Sequence, residues 1–215
     1  MQRLSICLLA LAGAVASPAV FAKDGHNTLR LSFAKSSETD FVTVVAGDYE
    51  ASPESNYLLG ANWGTDFTDT LFGLPFPTTL NLGVQYFNER GIQQDAYGAT
   101  AYIKAHYDWT LPFTEKQIRL GLGEGLSYVS RIPMSEKRDF AKKGEGIHSE
   151  KLMNYLEWTV DVPLSQFEPM RRLMDGYVEE LSVGFIVYHR SSVFGLFAET
   201  KGGVNFMGFG FEARY

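Results

Sequence analysis

Two stretches near the end of the chain decide the fold: YVEELSVGFIVYHR at Tyr177–Arg190 and GVNFMGFGFEARY at Gly203–Tyr215. In both, apolar residues recur at every second position, and most residues between them are polar or glycine. Side chains alternate along a β-strand, so each stretch predicts a strand with one apolar face. Residues 191–202 would join the two strands as a hairpin, and the chain would end on an aromatic residue of that face.

The same alternation recurs six times upstream. The predicted strands are Asn27–Ala34, Asn56–Phe67, Thr79–Phe87, Tyr97–Trp109, Ile118–Tyr128 and Leu152–Val162. Most of the eight strands have about ten residues, which is the length that a membrane-crossing barrel strand needs. Phe41–Ala46 is also apolar, and we expect it to prolong the first hairpin.

A water-soluble β-sandwich and a membrane β-barrel both produce this alternation, with opposite faces exposed. An even strand count, aromatic residues at strand ends and small residues on the polar face favour the barrel, whose narrow lumen has little room. The glycines on that face are Gly98, Gly121, Gly123, Gly125 and Gly184. The sequence therefore predicts an all-β, eight-stranded antiparallel transmembrane β-barrel.

The charged side chains opposite the apolar face would then point into the lumen. They are Lys104, His106, Asp108, Arg119, Glu157 and Asp161. Both signs are present, so we expect them to form a buried, paired network that fills the barrel. Glu124 falls instead on the apolar face, and we expect a β-bulge among Gly121–Gly125 to turn it inward.

The two longest connections fall at the same end of the predicted barrel. They are residues 35–55 and 131–149. The second is strongly charged, and we expect it to be mobile. Both would be extracellular if the chain begins in the periplasm.

The N-terminal residues resemble a secretory signal peptide. Arg3 precedes the apolar run Leu4–Val15, and Val20-Phe21-Ala22 is a suitable cleavage site. Cleavage after Ala16 would leave a rather short signal. We therefore expect residues 1–22 to be a signal peptide and residues 23–215 to be the barrel, located in the outer membrane of a Gram-negative bacterium.

Charge and cysteine content exclude several classes of protein. The chain has 19 basic and 25 acidic residues, and loss of the signal with its single Arg3 changes the net charge from −6 to −7. No basic stripe suits a nucleic acid. The single cysteine, Cys7, lies in the predicted signal. The mature chain therefore has no disulfide and no thiolate metal site.

The end of the seventh strand carries a motif that bears on chemistry. His189 and Ser191 share the apolar face, and the segment His189–Gly195 reads HRSSVFG. This segment, with the final strand, resembles the histidine–serine signature of the outer-membrane lipid A 3-O-deacylases. Those enzymes are eight-stranded barrels with a Ser-His-Glu triad on the lipid-facing wall. Two further stretches, Gly123–Tyr128 and Leu152–Leu156, are similar to related barrels.

The resemblance implies a role for each residue of the motif. Ser191 would be the nucleophile and His189 the base, acting on an acyl ester of lipid A or of another outer-leaflet lipid. The oxyanion would be held by Ser192, Val193, Phe194 and Gly195. No metal or organic cofactor is required. The chain departs from the family because Ser192 replaces an asparagine, and the triad glutamate falls nearest Asn205.

The hairpin geometry supports part of this arrangement independently. A symmetric connection places His189 opposite Asn205, with Cβ atoms about 5 Å apart. Asn205 could then orient the imidazole, although an amide cannot supply the charge of a carboxylate. Glu199, in the connection, is the alternative acid.

The same residues also have a non-catalytic interpretation. His189 would be an interfacial residue at a strand end, Ser191 and Ser192 ordinary loop residues, and Asn205 the start of a strand. The protein would then be a barrel that acts through its extracellular loops in adhesion, stress response or small-solute passage. The missing glutamate favours this alternative.

Overall fold

Eight antiparallel strands form one closed barrel in chain order, with the last strand paired to the first. The computed structural model describes residues 26–142, 144, 148–174, 176–192 and 202–215, so the predicted signal peptide lies outside the described residues. The strands are β1 Asn27–Ser37, β2 Tyr57–Thr68, β3 Thr78–Asn88, β4 Ala96–Thr110, β5 Gln117–Val129, β6 Leu152–Pro163, β7 Glu180–Ser191 and β8 Gly203–Arg214. The predicted eight-stranded antiparallel barrel is confirmed.

The barrel wall is apolar outside and polar inside. Leu31, Val84 and Phe209 are 53%, 63% and 66% exposed on the outer wall, whereas the inward-facing Arg30 and Lys104 are only 2% exposed. This is the reverse of a soluble protein, where apolar side chains fill the interior. The orientation predicted for the charged residues holds, although Asp108 lies at the barrel end with an exposed side chain.

Buried ion pairs cross the lumen. Arg30 donates two hydrogen bonds of 3.0 Å to Asp161, and Lys104 lies 2.9 Å from Glu157. The Tyr155 hydroxyl also donates to Glu157 at 2.5 Å. Charges removed from water need such partners, and these pairs confirm the predicted lumen network.

An aromatic layer lies in the lumen near the β3–β4, β5–β6 and β7–β8 connections and was not predicted. Phe87, Tyr155, Tyr188 and Phe206 are buried, with ring centroids 4.9 to 6.0 Å apart in tilted or edge-to-face contacts. Glycines on the inner face make room for large side chains. At Gly123, a Cβ atom would come within 2.8 Å of the Tyr102 ring. At the level of these rings the interior is therefore a packed core, as expected for a barrel of eight strands.

The two ends of the barrel differ. At one end Asn27 and Tyr215 exchange backbone hydrogen bonds of 2.8 and 3.0 Å, so both ends of the strand sequence meet there. The same end carries a 3-10 helix, Leu164–Gln166, and helix α3, Glu168–Met174. The opposite end, called here the loop end, carries helix α1, Phe41–Val45, and helix α2, Met134–Ala141. In the described ranges, no helix is long and apolar enough to cross a membrane.

Helix α1 corrects the expectation that Phe41–Ala46 prolongs a strand. Asp40 caps this helix, because its Oδ1 accepts hydrogen bonds from the amides of Val42 and Thr43 at 3.1 and 3.2 Å. Aspartate at this position satisfies amides that have no partner within the helix. The side-chain cap outweighs the apolar character that suggested a longer hairpin.

Helix α2 lies in the connection that was expected to be mobile, and its described part packs against the barrel. The fully buried Glu136 of α2 accepts a 3.0 Å hydrogen bond from the equally buried Arg190 of β7. Phe140 packs on Gly202, where a Cβ atom would come within 2.6 Å of the ring. The α2 amide of Met134 also donates to Glu89, after β3. Helix α2 therefore packs across the loop end and is fixed to two sides of the barrel.

Glu124 corrects the expectation of a bulge. It pairs with Ile103 on one side and Leu156 on the other, without a register shift in β5. Its side chain is therefore on the outer wall, where it is exposed.

Candidate active site

The predicted contact between His189 and Asn205 is present at the loop end of β7 and β8. The two residues are cross-strand partners, and His189 Nδ1 lies 2.6 Å from Asn205 Oδ1. Both side chains belong to the outer wall, with Leu156 of β6 on the other side of His189. The symmetry of the hairpin was therefore sufficient to find this pair.

The surroundings of Asn205 determine which nitrogen of His189 is basic. Asn205 Nδ2 donates a 2.7 Å hydrogen bond to the backbone carbonyl of Thr39. Because a carbonyl only accepts, the amide oxygen must face the imidazole, and Nδ1 must carry the proton. Nε2 of the neutral ring is then a hydrogen-bond acceptor, as a general base requires.

Ser191 and the His189 ring flank a glycine. Ser191 is the cross-strand partner of Gly203. A Cβ atom at Gly203 would lie 2.9 Å from His189 Cε1 and 3.2 Å from Ser191 Cβ. Because Gly203 has no side chain, the His189 imidazole and Ser191 can both occupy the space beside it. Among the described residues, Ser191 Oγ has no hydrogen-bond partner, and catalytic contacts are often long before substrate binds.

The β1–β2 connection covers this part of the outer wall. The Phe41 ring of α1 lies 5.0 Å from the His189 ring, centroid to centroid. Between this connection and α2 there is a cavity of about 430 Å³, which His189, Ser191 and Asn205 help to line. The candidate residues therefore face a pocket that is shared by the outer wall and two loop-end helices.

Five charged side chains also line the cavity. Glu38 pairs with Arg138 and with Lys142, the latter at 3.5 Å. Asp40 caps α1, and its carboxylate also accepts a 2.6 Å hydrogen bond from Thr43 Oγ1. This bond, with the amide bonds of the cap, lowers the pKa of Asp40. The fifth, Asp139, is considered next.

Asp139 is the residue that sequence reasoning missed. Its Oδ2 accepts a 3.2 Å hydrogen bond from the Gly203 amide, beside the candidate pair. A signal for α2 was present in the sequence, because Ser135, Glu136, Asp139 and Phe140 recur at the spacing of one helix face. That spacing shows a helix face, but it does not show which strand end the face meets.

The remaining predicted site residues are less well placed or lie elsewhere. Ser192 is buried, its amide donates to the Gly202 carbonyl at 3.0 Å, and its hydroxyl accepts from the Gly202 amide at 3.1 Å. Its oxyanion role stays a prediction. Val193, Phe194, Gly195 and Glu199 lie outside the described residues. Within the described ranges, no three potential metal-ligating side chains cluster.

Comparisons with known proteins add little to this geometry. No family model matches the chain, and no curated protein matches it. A solved structure of Ail, the attachment invasion locus protein of Yersinia pestis, in complex with the heparin analogue sucrose octasulfate, is similar at 10% sequence identity and a TM-score of 0.32. The similarity covers 89% of this chain and 99% of that chain. The fold assignment rests on the strand pairing of the chain itself, and the resemblance to the deacylases rests on the motif.

Proposed function

We propose that the protein spans the outer membrane of a Gram-negative bacterium and hydrolyses an acyl ester of a lipid in the outer leaflet. The membrane location is supported by the apolar outer wall around a polar, packed lumen. Strands that enter from the periplasm place the loop end at the cell surface. His189 and Ser191 then lie at the level of the outer leaflet, on the side that faces lipid.

The observation that carries the hydrolase proposal is the 2.6 Å contact between His189 and Asn205 on the outer wall. Polar groups on a lipid-facing surface are costly unless they have a use. Here the Asn205 amide fixes the imidazole in the tautomer whose Nε2 is basic. Ser191 and the His189 ring both lie next to Gly203. An interfacial histidine at a strand end would need neither the fixed tautomer nor the serine.

The reaction follows the serine-hydrolase scheme. Ser191 Oγ forms a bond to the ester carbonyl carbon while its proton passes to His189 Nε2. The bond to the leaving oxygen then breaks, and that oxygen takes the proton from the imidazolium. Water attacks the acyl-serine in the same way, releases the fatty acid and restores Ser191. Asn205 holds the ring, and no cofactor takes part.

We propose lipid A as the substrate because the motif resembles that of the lipid A 3-O-deacylases. An acyl ester of lipid A lies in the outer leaflet, beside the wall that carries the site. The apolar side chains of α1 that border the cavity, including the 75% exposed Val42, suit an acyl chain.

A non-catalytic barrel is the second candidate function. It is favoured by the amide at position 205, where a triad would have a carboxylate, and by the Phe41 ring over His189. Function would then reside in the loop end, as in adhesion or stress response. Passage of small solutes is the least supported form of this alternative, because ion pairs and aromatic rings fill the lumen.

The test is mass spectrometry of lipid A from cells that express the protein. We expect lipid A lacking one ester-linked acyl chain with wild type, and unchanged lipid A with Ser191→Ala and His189→Ala, because each removes a reacting group and costs about 10³-fold or more in rate. Ser165→Ala, at the other barrel end, and His148→Ala, on an exposed loop, are matched controls that should retain activity. Unchanged lipid A in cells with well-folded wild type would contradict the lipid A proposal.

A further inference from the structure

The amide at position 205 leaves the proposed reaction without a charge partner for the imidazolium. In a serine triad the acid both orients the histidine and stabilises its positive charge after the serine loses its proton. Asn205 can do the first of these through Nδ1. On the described wall, the cross-strand neighbours of His189 are Leu156 and Asn205, and both are uncharged. A negative charge must therefore come from another element.

We propose that Asp139 of α2 is the charge partner of His189. This inference rests on the proposed hydrolase function and adds a positioning residue to it. The chain would then divide the work of the usual triad acid between two side chains, the amide of Asn205 and the carboxylate of Asp139.

A hydrogen bond to the Gly203 backbone amide places the Asp139 carboxylate. Its Oδ2 accepts the hydrogen bond from the Gly203 amide at 3.2 Å. Gly203 is also the residue whose missing Cβ leaves room for His189 Cε1 and Ser191 Cβ. The Asp139 carboxylate is therefore hydrogen-bonded to Gly203, the residue next to both reacting side chains.

The helix that carries Asp139 is held firmly. One turn before Asp139, Glu136 forms the buried ion pair with Arg190, and one residue after it, Phe140 packs on Gly202. A carboxylate between two such anchors is fixed in position. Pre-organised charges of this kind stabilise charge that develops during a reaction.

Two other acids line the cavity, Glu38 and Asp40. Glu38 faces two cations, Arg138 and Lys142, and Asp40 is bound to the amides of its own helix. The positive side chains Arg138 and Lys142 would oppose an imidazolium. Asp139 is the acid bound to the Gly203 amide, next to both reacting side chains.

The first arm of the test is the pH–rate profile of ester hydrolysis by purified protein in detergent micelles. Asp139→Asn should lower kcat about tenfold and move the acid limb to lower pH by about one unit, because removal of a negative charge makes His189 harder to protonate. Asp139→Glu should restore most of the lost kcat and most of the shift in the acid limb. An Asp139→Asn variant with the wild-type acid limb overturns the inference and leaves the hydrolase proposal intact, whereas inactive wild type overturns the hydrolase proposal itself.

The second arm is NMR titration of isotope-labelled histidine, with the His189 signal assigned from its loss in His189→Gln. It needs no substrate. The His189 midpoint should fall by about one unit in Asp139→Asn and stay unchanged in the control Asp48→Asn, which changes an exposed residue of the β1–β2 connection. An unchanged midpoint in Asp139→Asn overturns the inference whatever the enzyme activity, and heat-modifiable gel mobility confirms that the variant is folded.

Discussion

The lumen and the outer-wall site use polar residues in opposite ways. In the lumen, Lys104 and Glu157 are almost fully buried, lie 2.9 Å apart and have further partners around them. At the wall, His189 has one partner for Nδ1, and Ser191 Oγ has none in the described part of the chain. The lumen pairs its charged side chains with opposite charges, whereas the wall leaves a basic nitrogen and a hydroxyl at a cavity.

This difference indicates that the lumen stabilises the barrel and that the outer wall carries the reactive groups. A buried ion pair is broken only at high cost, so the lumen should determine whether the barrel folds. The wall residues lie at strand ends next to a cavity and make few contacts that the fold requires. Changes in the two regions should therefore have separable effects on unfolding and on hydrolysis.

The largest effect on stability is expected in the lumen. Glu157→Leu removes the closest carboxylate from buried Lys104 and an acceptor from Tyr155, and we expect a loss of about 3–5 kcal/mol in unfolding free energy. Urea unfolding in micelles, followed by heat-modifiable gel mobility, measures it. Hydrolysis per folded molecule should stay close to wild type.

Glu212→Gln is the matched control for that variant. Glu212 is 12% exposed and lies 3.9 Å from Lys104, so its loss should cost less than that of Glu157. Equal losses for the two variants, or loss of activity in folded Glu157→Leu, would show that the two regions are not separable.

A smaller effect is expected at the cover of the site. Asp40→Ala removes the cap of α1 and should destabilise that helix by about 1 kcal/mol, loosening Phe41 over His189. The pKa of Asp40 is lowered in the folded protein, so its stabilisation is complete above the ordinary carboxyl pKa and is lost as pH falls through the lowered value. Amide hydrogen exchange at Val42 and Thr43 should therefore quicken in Asp40→Ala at neutral pH.

After correction for the intrinsic, base-catalysed exchange rate, acid should lower the protection of these amides in wild type in the same way, and Asp40→Ala should show no further loss of protection as the pH falls. If exchange at these amides is equally fast in both proteins at neutral pH, the cap does not hold α1 in place.

The sequence was sufficient for features that depend on local alternation. Strand positions, the inward charges and the opposition of His189 and Asn205 all follow from a period of two and one hairpin. The helices in the connections between strands could not be predicted from this alternation. Helix α1 depends on a single cap at Asp40, and the place of Asp139 beside Gly203 depends on packing between segments about sixty residues apart. The aromatic layer was missed because Phe87 and Phe206 lie on a face identified by its polar residues.

The most direct test of the wall site is covalent trapping of Ser191 in outer membranes with a lipophilic fluorophosphonate. Trypsin would release residues 191–201 as one peptide, and fragment ions separate Ser191 from Ser192. We expect an adduct on Ser191 in wild type and in His148→Ala, and its loss in folded His189→Ala. No adduct on folded wild type, or an adduct that persists in His189→Ala, would contradict the proposed wall site.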